Sequence, residues 1–349
     1  MNRRLPAEWE AQDGVLLAWP HGATDWLPIL SDATKVFTAI VRAISSYETA
    51  VIVTPEPAAV ERLLADSGAV MENVRLYRIE SNDTWSRDFG PLTVMENGEP
   101  KLLNFGFNGW GLKFPAFLDN CITSHLYAEG AFSGLQLETI GLILEGGSIE
   151  SDGRGTILTT AECLLSPNRN PHLSRAAIET ELKHRLGAAH VLWLENGYLA
   201  GDDTDSHIDT LARLAPDDTI VYAACDDTTD EHYQPLKAME DELQALRTRD
   251  GHPYRLLPLP WPQARFDGDG GRLPATYANF LVINGAVLVP TYDDRSDAAA
   301  LEVIRQAFPD REIIGIDCLP LIEQHGSLHC VTMQLPQGVL AASTMSSRS

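Results

Sequence analysis

The sequence predicts an α/β protein of about five strand–helix modules whose loops meet at one centre. Three observations lead there. Short β-branched runs alternate with amphipathic helical patterns along all 349 residues. Polar landmarks recur loosely: Asp88 to Glu145 is 57 positions, Glu145 to His207 is 62, Asn279 lies 72 further on and Cys330 another 51. No low-complexity linker interrupts the chain, so 1–340 is expected to be one domain and Ser-rich 341–349 a disordered tail. An open doubly wound sheet is the alternative, and it too gathers ligands at strand ends.

Strands are expected at Gly14–Trp19, Ala50–Thr54, Arg75–Ile79, Lys101–Phe105, Leu142–Glu145, Thr156–Thr160, Val191–Leu194, Thr219–Ala223, Phe280–Val289, Arg311–Ile316 and His329–Gln334. The first helix carries Val36, Phe37, Ile40, Val41 and Ile44 on one face, with Ser31 or Asp32 as its N-cap. Further helices are expected at Pro57–Ala65, Pro171–Leu186 with Gly187 as the stop, Asp230–Thr248 and Ser296–Phe308.

Lys plus Arg number 26 against 49 Asp plus Glu, a formal charge of −23. Such a field repels nucleic acid and anionic membranes and draws in cations. Five widely spaced cysteines without a C-x-x-C pair fit a reducing compartment. Pro6, Glu8 and Glu10 interrupt any apolar leader, and no apolar run approaches the roughly 20 residues of a membrane helix. A cytoplasmic protein is expected.

The chemistry-bearing groups are one thiol, one imidazole and several carboxylates from separate regions: Cys330, His207, Glu145, Asp88 and Asp209. A guanidinium taken out of water needs carboxylates to satisfy its five N–H donors, and Asp88 and Asp209 are candidates for that clamp. Its delocalised carbon is a poor electrophile, so a thiolate at Cys330 suits the attack better than water. An imidazole ordinarily titrates near neutrality, so His207 is the candidate to move both protons the reaction needs, with Glu145 as its orienting carboxylate. Singly, each has a plainer use as core cysteine, structural histidine, capping acid or strand ending. His325, His329 and Cys330 lack a fourth ligand of matching spacing, so no metal is expected.

The joint pattern resembles the agmatine deiminase family, relatives of the bacterial peptidyl-arginine deiminases in the guanidino-group-modifying superfamily. The resemblance rests on Asp83-Thr84-Trp85-Ser86-Arg87-Asp88-Phe89-Gly90-Pro91, Leu144-Glu145-Gly146-Gly147-Ser148-Ile149, Asn168-Arg169-Asn170-Pro171, Asp203-Thr204-Asp205-Ser206-His207-Ile208-Asp209 and Leu328-His329-Cys330-Val331-Thr332. It implies a five-bladed, pseudo-symmetric α/β propeller of ββαβ modules, a pentein-like fold, with no metal or organic cofactor. It further implies hydrolysis of agmatine to N-carbamoylputrescine and ammonia, a step towards putrescine, by a homodimer. Cys330 matches the nucleophile, His207 the general acid/base, Asp88 and Asp209 the guanidinium ligands, and Glu145 the carboxylate paired with the histidine. Trp85 and Asp203 match substrate-contacting positions.

Two departures border the expected pocket: Gln324-His325-Gly326-Ser327 replaces a run of glycines, and Thr210 stands where the family often has Asn. Free arginine and peptidyl arginine therefore stay open as substrates, and a non-catalytic binding module on the same fold is the alternative of another class. The glycine-rich segment 104–115 lacks the context of a phosphate loop and is read as a lid, with Trp110 as its cover.

Overall fold

The computed structural model describes residues 3–132 and 134–341. The expected tail therefore lies, beyond Ala341, outside the described residues. Gln12–Ala18, Thr49–Thr54 and Val74–Arg78 are parallel neighbours, and Met333–Pro336 pairs antiparallel with the first of them. Strands from residues 12–18 and 333–336, far apart in sequence, thus share one sheet.

Four more sheets repeat a single pattern of two antiparallel strands, a helix and a parallel third strand. In the first, Leu92–Glu96 and Glu99–Gly106 precede the Ile122–Ala128 helix and Leu137–Ile143. Ile149–Ser151 and Thr156–Thr160 are followed by the Arg175–Leu186 helix and His190–Leu194. Ala212–Ala215 and Thr219–Ala223 lead to the Tyr233–Ala245 helix and Arg255–Leu259. Leu281–Ile283 and Ala286–Thr291 lead to the Asp297–Ala307 helix and Glu312–Asp317. The parallel partner needs a crossover, and the amphipathic helix supplies it. The first sheet fits the same pattern when Met333–Pro336 is counted as the opening strand and Leu30–Ser45 as the helix.

The helix faces follow the expected periodicity. Val36, Phe37, Ile40, Val41 and Ile44 are all buried on Leu30–Ser45. Its cap is different: the helix runs on from a 3-10 turn at Leu27–Ile29 without a side-chain cap, and Asp32 sits in the first turn, where the helix dipole favours an acid. Gly187 ends its helix in the left-handed conformation, as expected.

Three strand expectations are corrected. Phe280–Val289 is not one strand but a hairpin turning at Asn284-Gly285, with Gly285 at φ +76°. The strand expected at Leu142–Glu145 is Leu137–Ile143 and stops short of Glu145. The strand expected from His329 begins only at Met333, which leaves Cys330 in the preceding turn. No helix among the described residues is long and apolar enough to cross a membrane.

The repeat explains the spacing of the landmarks. Asp88, Glu145, Asn279 and Cys330 each lie just before the opening strand of a sheet, and His207 and Asp209 occupy that position before Ala212–Ala215.

Candidate active site

These equivalent turns bring Cys330, Asp88, His207, Asp209 and Glu145 together, all of them buried. Gly147 lies between them: a Cβ there would sit 2.6 Å from His207 Nδ1, 2.8 Å from Asp88 Oδ1 and 3.1 Å from Asp209 Oδ2. Only a residue without a side chain lets three functional groups converge on the backbone. The Gly147 N–H also donates to Asp88 Oδ1 at 2.9 Å, and the Trp110 indole N–H donates to Asp88 Oδ2 at 2.9 Å. Burial pushes Asp88 up to about 6, with His207 opposing and Asp209 and Glu145 reinforcing the shift.

His207 Nδ1 stands 3.6 Å from Asp88 and its Nε2 stands 3.8 Å from Glu145. Burial alone would lower its pKa, but Asp88, Cys163 and Glu145 outweigh burial and hold the imidazole well above its ordinary value. Glu145 accepts from Arg169 Nε on both oxygens, at 2.9 and 2.8 Å. Burial opposes its ionisation, yet His207 and Arg169 keep it below the usual range. Asp209 accepts from His329 Nδ1 at 2.7 Å through Oδ2, which leaves buried Oδ1 without a protein donor. Burial opposes its ionisation, but that bond together with the charges of His329, His207 and Arg213 holds Asp209 below its ordinary value.

Cys330 Sγ lies 4.0 Å from Asp209 Oδ2 and 3.3 Å from Asn279 Oδ1. Burial first, then the charges of Asp209 and Asp88, push the thiol well above its ordinary pKa. The buried carboxylates thus favour the protonated form of both the Cys330 thiol and the His207 imidazole.

Cys330 and Asp88 reach the wall of a cleft of about 560 Å³, counted out to its open mouth. Trp85, Trp110 and Phe114 supply apolar walls, while Asp25, Asp83, Asp202 and Asp203 join Asp88 as acids. No lysine or arginine lines it, and His325 is the one basic side chain on its wall among the described residues. Trp85 and Asp203 both line the cleft, and Trp85 also packs on Trp26, with ring centroids 5.6 Å apart. Gly326 is required beside it, since a Cβ there would meet the Trp85 ring at 2.1 Å. The Ser86–Phe89 turn places Trp85 and Asp88 on this wall.

Sequence reasoning assigned no role to two groups. Asn279 Oδ1 accepts from the backbone N–H of both His329 and Cys330, at 2.8 and 3.2 Å, and so fixes the turn that carries Cys330. Arg169 braces Glu145. Both stood in view, Asn279 as a spacing landmark and Arg169 inside a matched motif, but nothing local indicates which distant group a buried polar side chain will meet. Among the described residues, two donor triads come within metal-binding reach, Glu145–Cys163–His207 and Glu8–Glu150–His329. In each an arginine already occupies the carboxylates, Arg169 on Glu145 and Arg213 on Glu8 and Glu150, so the protein supplies its own neutralising cation.

A repeated strand–strand–helix–strand fold with a buried thiol, imidazole and carboxylates under an acidic cleft defines an α/β protein of the guanidino-group-modifying, or pentein, superfamily. The chain belongs, over residues 4–336, to the family of Porphyromonas-type peptidyl-arginine deiminases. A putative agmatine deiminase of Pectobacterium atrosepticum is 34% identical over 95% of this chain and 94% of its own. The crystal structure of a putative arginine deiminase from Porphyromonas gingivalis superposes with a TM-score of 0.92 at 52% identity, covering 97% of this chain and 99% of that one. A cysteine-to-serine variant of C. jejuni agmatine deiminase with substrate bound gives a TM-score of 0.88 at 38% identity, covering 96% and 97%.

Proposed function

We propose that this enzyme hydrolyses the guanidino group of a small dication, agmatine, to N-carbamoylputrescine and ammonia through an amidino-cysteine intermediate. It is a hydrolase of carbon–nitrogen bonds in linear amidines. The observation that carries the substrate is the cleft wall, with five aspartates and, among the described residues, no lysine or arginine, leading to a thiol. Agmatine brings a cation at each end, one for Asp88 and Asp209 and one for the acids nearer the mouth, among them Asp203. Free arginine would set an α-carboxylate against those acids, and an internal peptidyl arginine has no second cation to offer them.

The chemistry follows from the geometry. The entering guanidinium donates to Asp88 and to the otherwise unpaired Asp209 Oδ1, and its charge offsets the carboxylates that hold the Cys330 proton. As the cation binds, the thiol releases its proton to solvent, and the Cys330 thiolate attacks the guanidino carbon while the C=N electron pair moves onto nitrogen, giving a neutral tetrahedral adduct. His207, protonated and buried against Glu145, delivers a proton to the departing nitrogen, and ammonia leaves. The neutral imidazole then takes a proton from water, which attacks the same carbon and expels the thiolate, giving the ureido product. Trp85 and Trp110 flank the reacting group and exclude bulk water.

Two larger-scale readings belong to the same proposal. The five repeated sheets are the blades of an α/β propeller closed where Met333–Pro336 meets Gln12–Ala18, and 1–340 acts as one unit. The experiment is ammonia release and product mass for agmatine, free arginine and a peptide with internal arginine. Preference for agmatine supports the proposal. Turnover of arginine or peptide alone would keep the chemistry and overturn the substrate.

A further inference from the structure

The 109–114 segment touches the site twice. Directly, the Trp110 indole bonds Asp88. Indirectly, Lys113 Nζ donates to Asp205 Oδ1 at 2.6 Å and to the Asp203 carbonyl at 2.7 Å. The other oxygen of Asp205 accepts from Arg169 NH1 at 2.6 Å, and Arg169 NH2 donates to the Thr204 carbonyl at 2.8 Å. Arg169, its side chain wholly buried, ends on Glu145 beside His207. An unbroken chain of charge-assisted bonds therefore runs from the cleft's cover to the carboxylate behind the acid/base.

The flanking backbone supports a coupled unit. Trp110 and Leu112 on one side, and Asp205 and Ser206 on the other, all lie at positive φ, from 55° to 70°. Non-glycine residues hold such conformations only when surrounding contacts enforce them. Asn108 Nδ2 adds a bond to the Asn168 carbonyl at 2.9 Å, next to Arg169.

We propose that Lys113, Asp205 and Arg169 form a latch in which seating of the 109–114 segment over the cleft aligns Glu145 with His207. Arg169 and Lys113 are positioning residues, not catalytic ones. The proposal rests on the guanidino-hydrolase reading for its effect on turnover, but its geometric part does not. The planar fork of Arg169 holds Glu145 while its other end answers to the loop that Lys113 pins.

The test uses Lys113→Met, Lys113→Arg, Asp205→Asn and the Lys113→Met/Asp205→Asn pair. The first readout needs no substrate: the rate at which neutral iodoacetamide alkylates Cys330, followed by peptide mass spectrometry. With the latch broken the cover lifts, and Lys113→Met should be alkylated at least about three times faster than wild type, with Lys113→Arg restoring the slow rate. The second readout is kinetic: kcat for Lys113→Met should fall about ten-fold with KM within about two-fold, and the paired variant should be no worse than the weaker single, as expected for one chain. Alkylation within a factor of about 1.5 of wild type would overturn the latch whatever happened to turnover. A wild-type enzyme silent on agmatine would instead overturn the substrate reading, with alkylation still deciding the latch.

Discussion

At the scale of single residues, the site is arranged around groups whose protonation is set by neighbours. Asp88 titrates at about 6 because burial disfavours its charge. Below that pH it takes up a proton and loses the charge proposed to bind the guanidinium, so kcat/KM should fall as pH drops through about 6. A pH–rate profile for the wild type checks this, and a flat profile down to pH ~4.5 would contradict it. Gly147 gives a sharper case, because its missing side chain is what lets His207, Asp88 and Asp209 converge. Gly147→Ala should lower kcat/KM by about a hundred-fold through displacement of these groups, with a smaller loss of thermal stability. Comparing steady-state kinetics with a thermal melt separates the two effects. The five residues of the expected site were legible because short motifs carry them. Asn279 and Arg169 were legible only as letters, since their function lies in contacts to Cys330 and Glu145 made across 51 and 24 positions.

At the scale of elements, most helices and parallel strands were readable from periodicity, though the Ile122–Ala128 helix and the Arg255–Leu259 strand were not, and neither was the opening strand of most modules. Leu92–Glu96, Ile149–Ser151 and Ala212–Ala215 are three to five residues long, and the last two are buried throughout, so they show no alternation to read. These are also the strands that follow the site turns, which is why motifs located the site better than patterning located the elements beneath it. The 109–114 segment is the element whose single contact has a predictable electrostatic consequence. Trp110 donates to Asp88 and favours its ionised form. Trp110→Phe should therefore move the acid limb of kcat/KM upward from about 6, and an unmoved or lower limb would count against that role.

At the scale of the whole molecule, charge is organised beneath the site as well as around it. Arg213 bonds Glu8 at 2.8 Å and also Glu150, while His329 lies 2.7 Å from both Glu8 and Asp209. All these groups are buried, and they tie residue 8 to the turn that holds Cys330. Patterning gives no access to such a network, because sequence order does not reveal which buried charges will pair. Arg213→Ala would strand two buried carboxylates and should destabilise the fold by about 3–5 kcal/mol in urea unfolding. A loss under about 1 kcal/mol would show that water or His329 already compensates them.

The thiol-dependent step is tested most directly by trapping its intermediate. Wild-type enzyme mixed with agmatine and quenched in acid within the first turnovers should carry an adduct of about 113 Da, agmatine less ammonia, on the peptide containing Cys330. Cys330→Ser should neither form it nor release ammonia. Continued turnover by Cys330→Ser, or a quenched adduct on another residue, would contradict the assignment of Cys330 as the nucleophile.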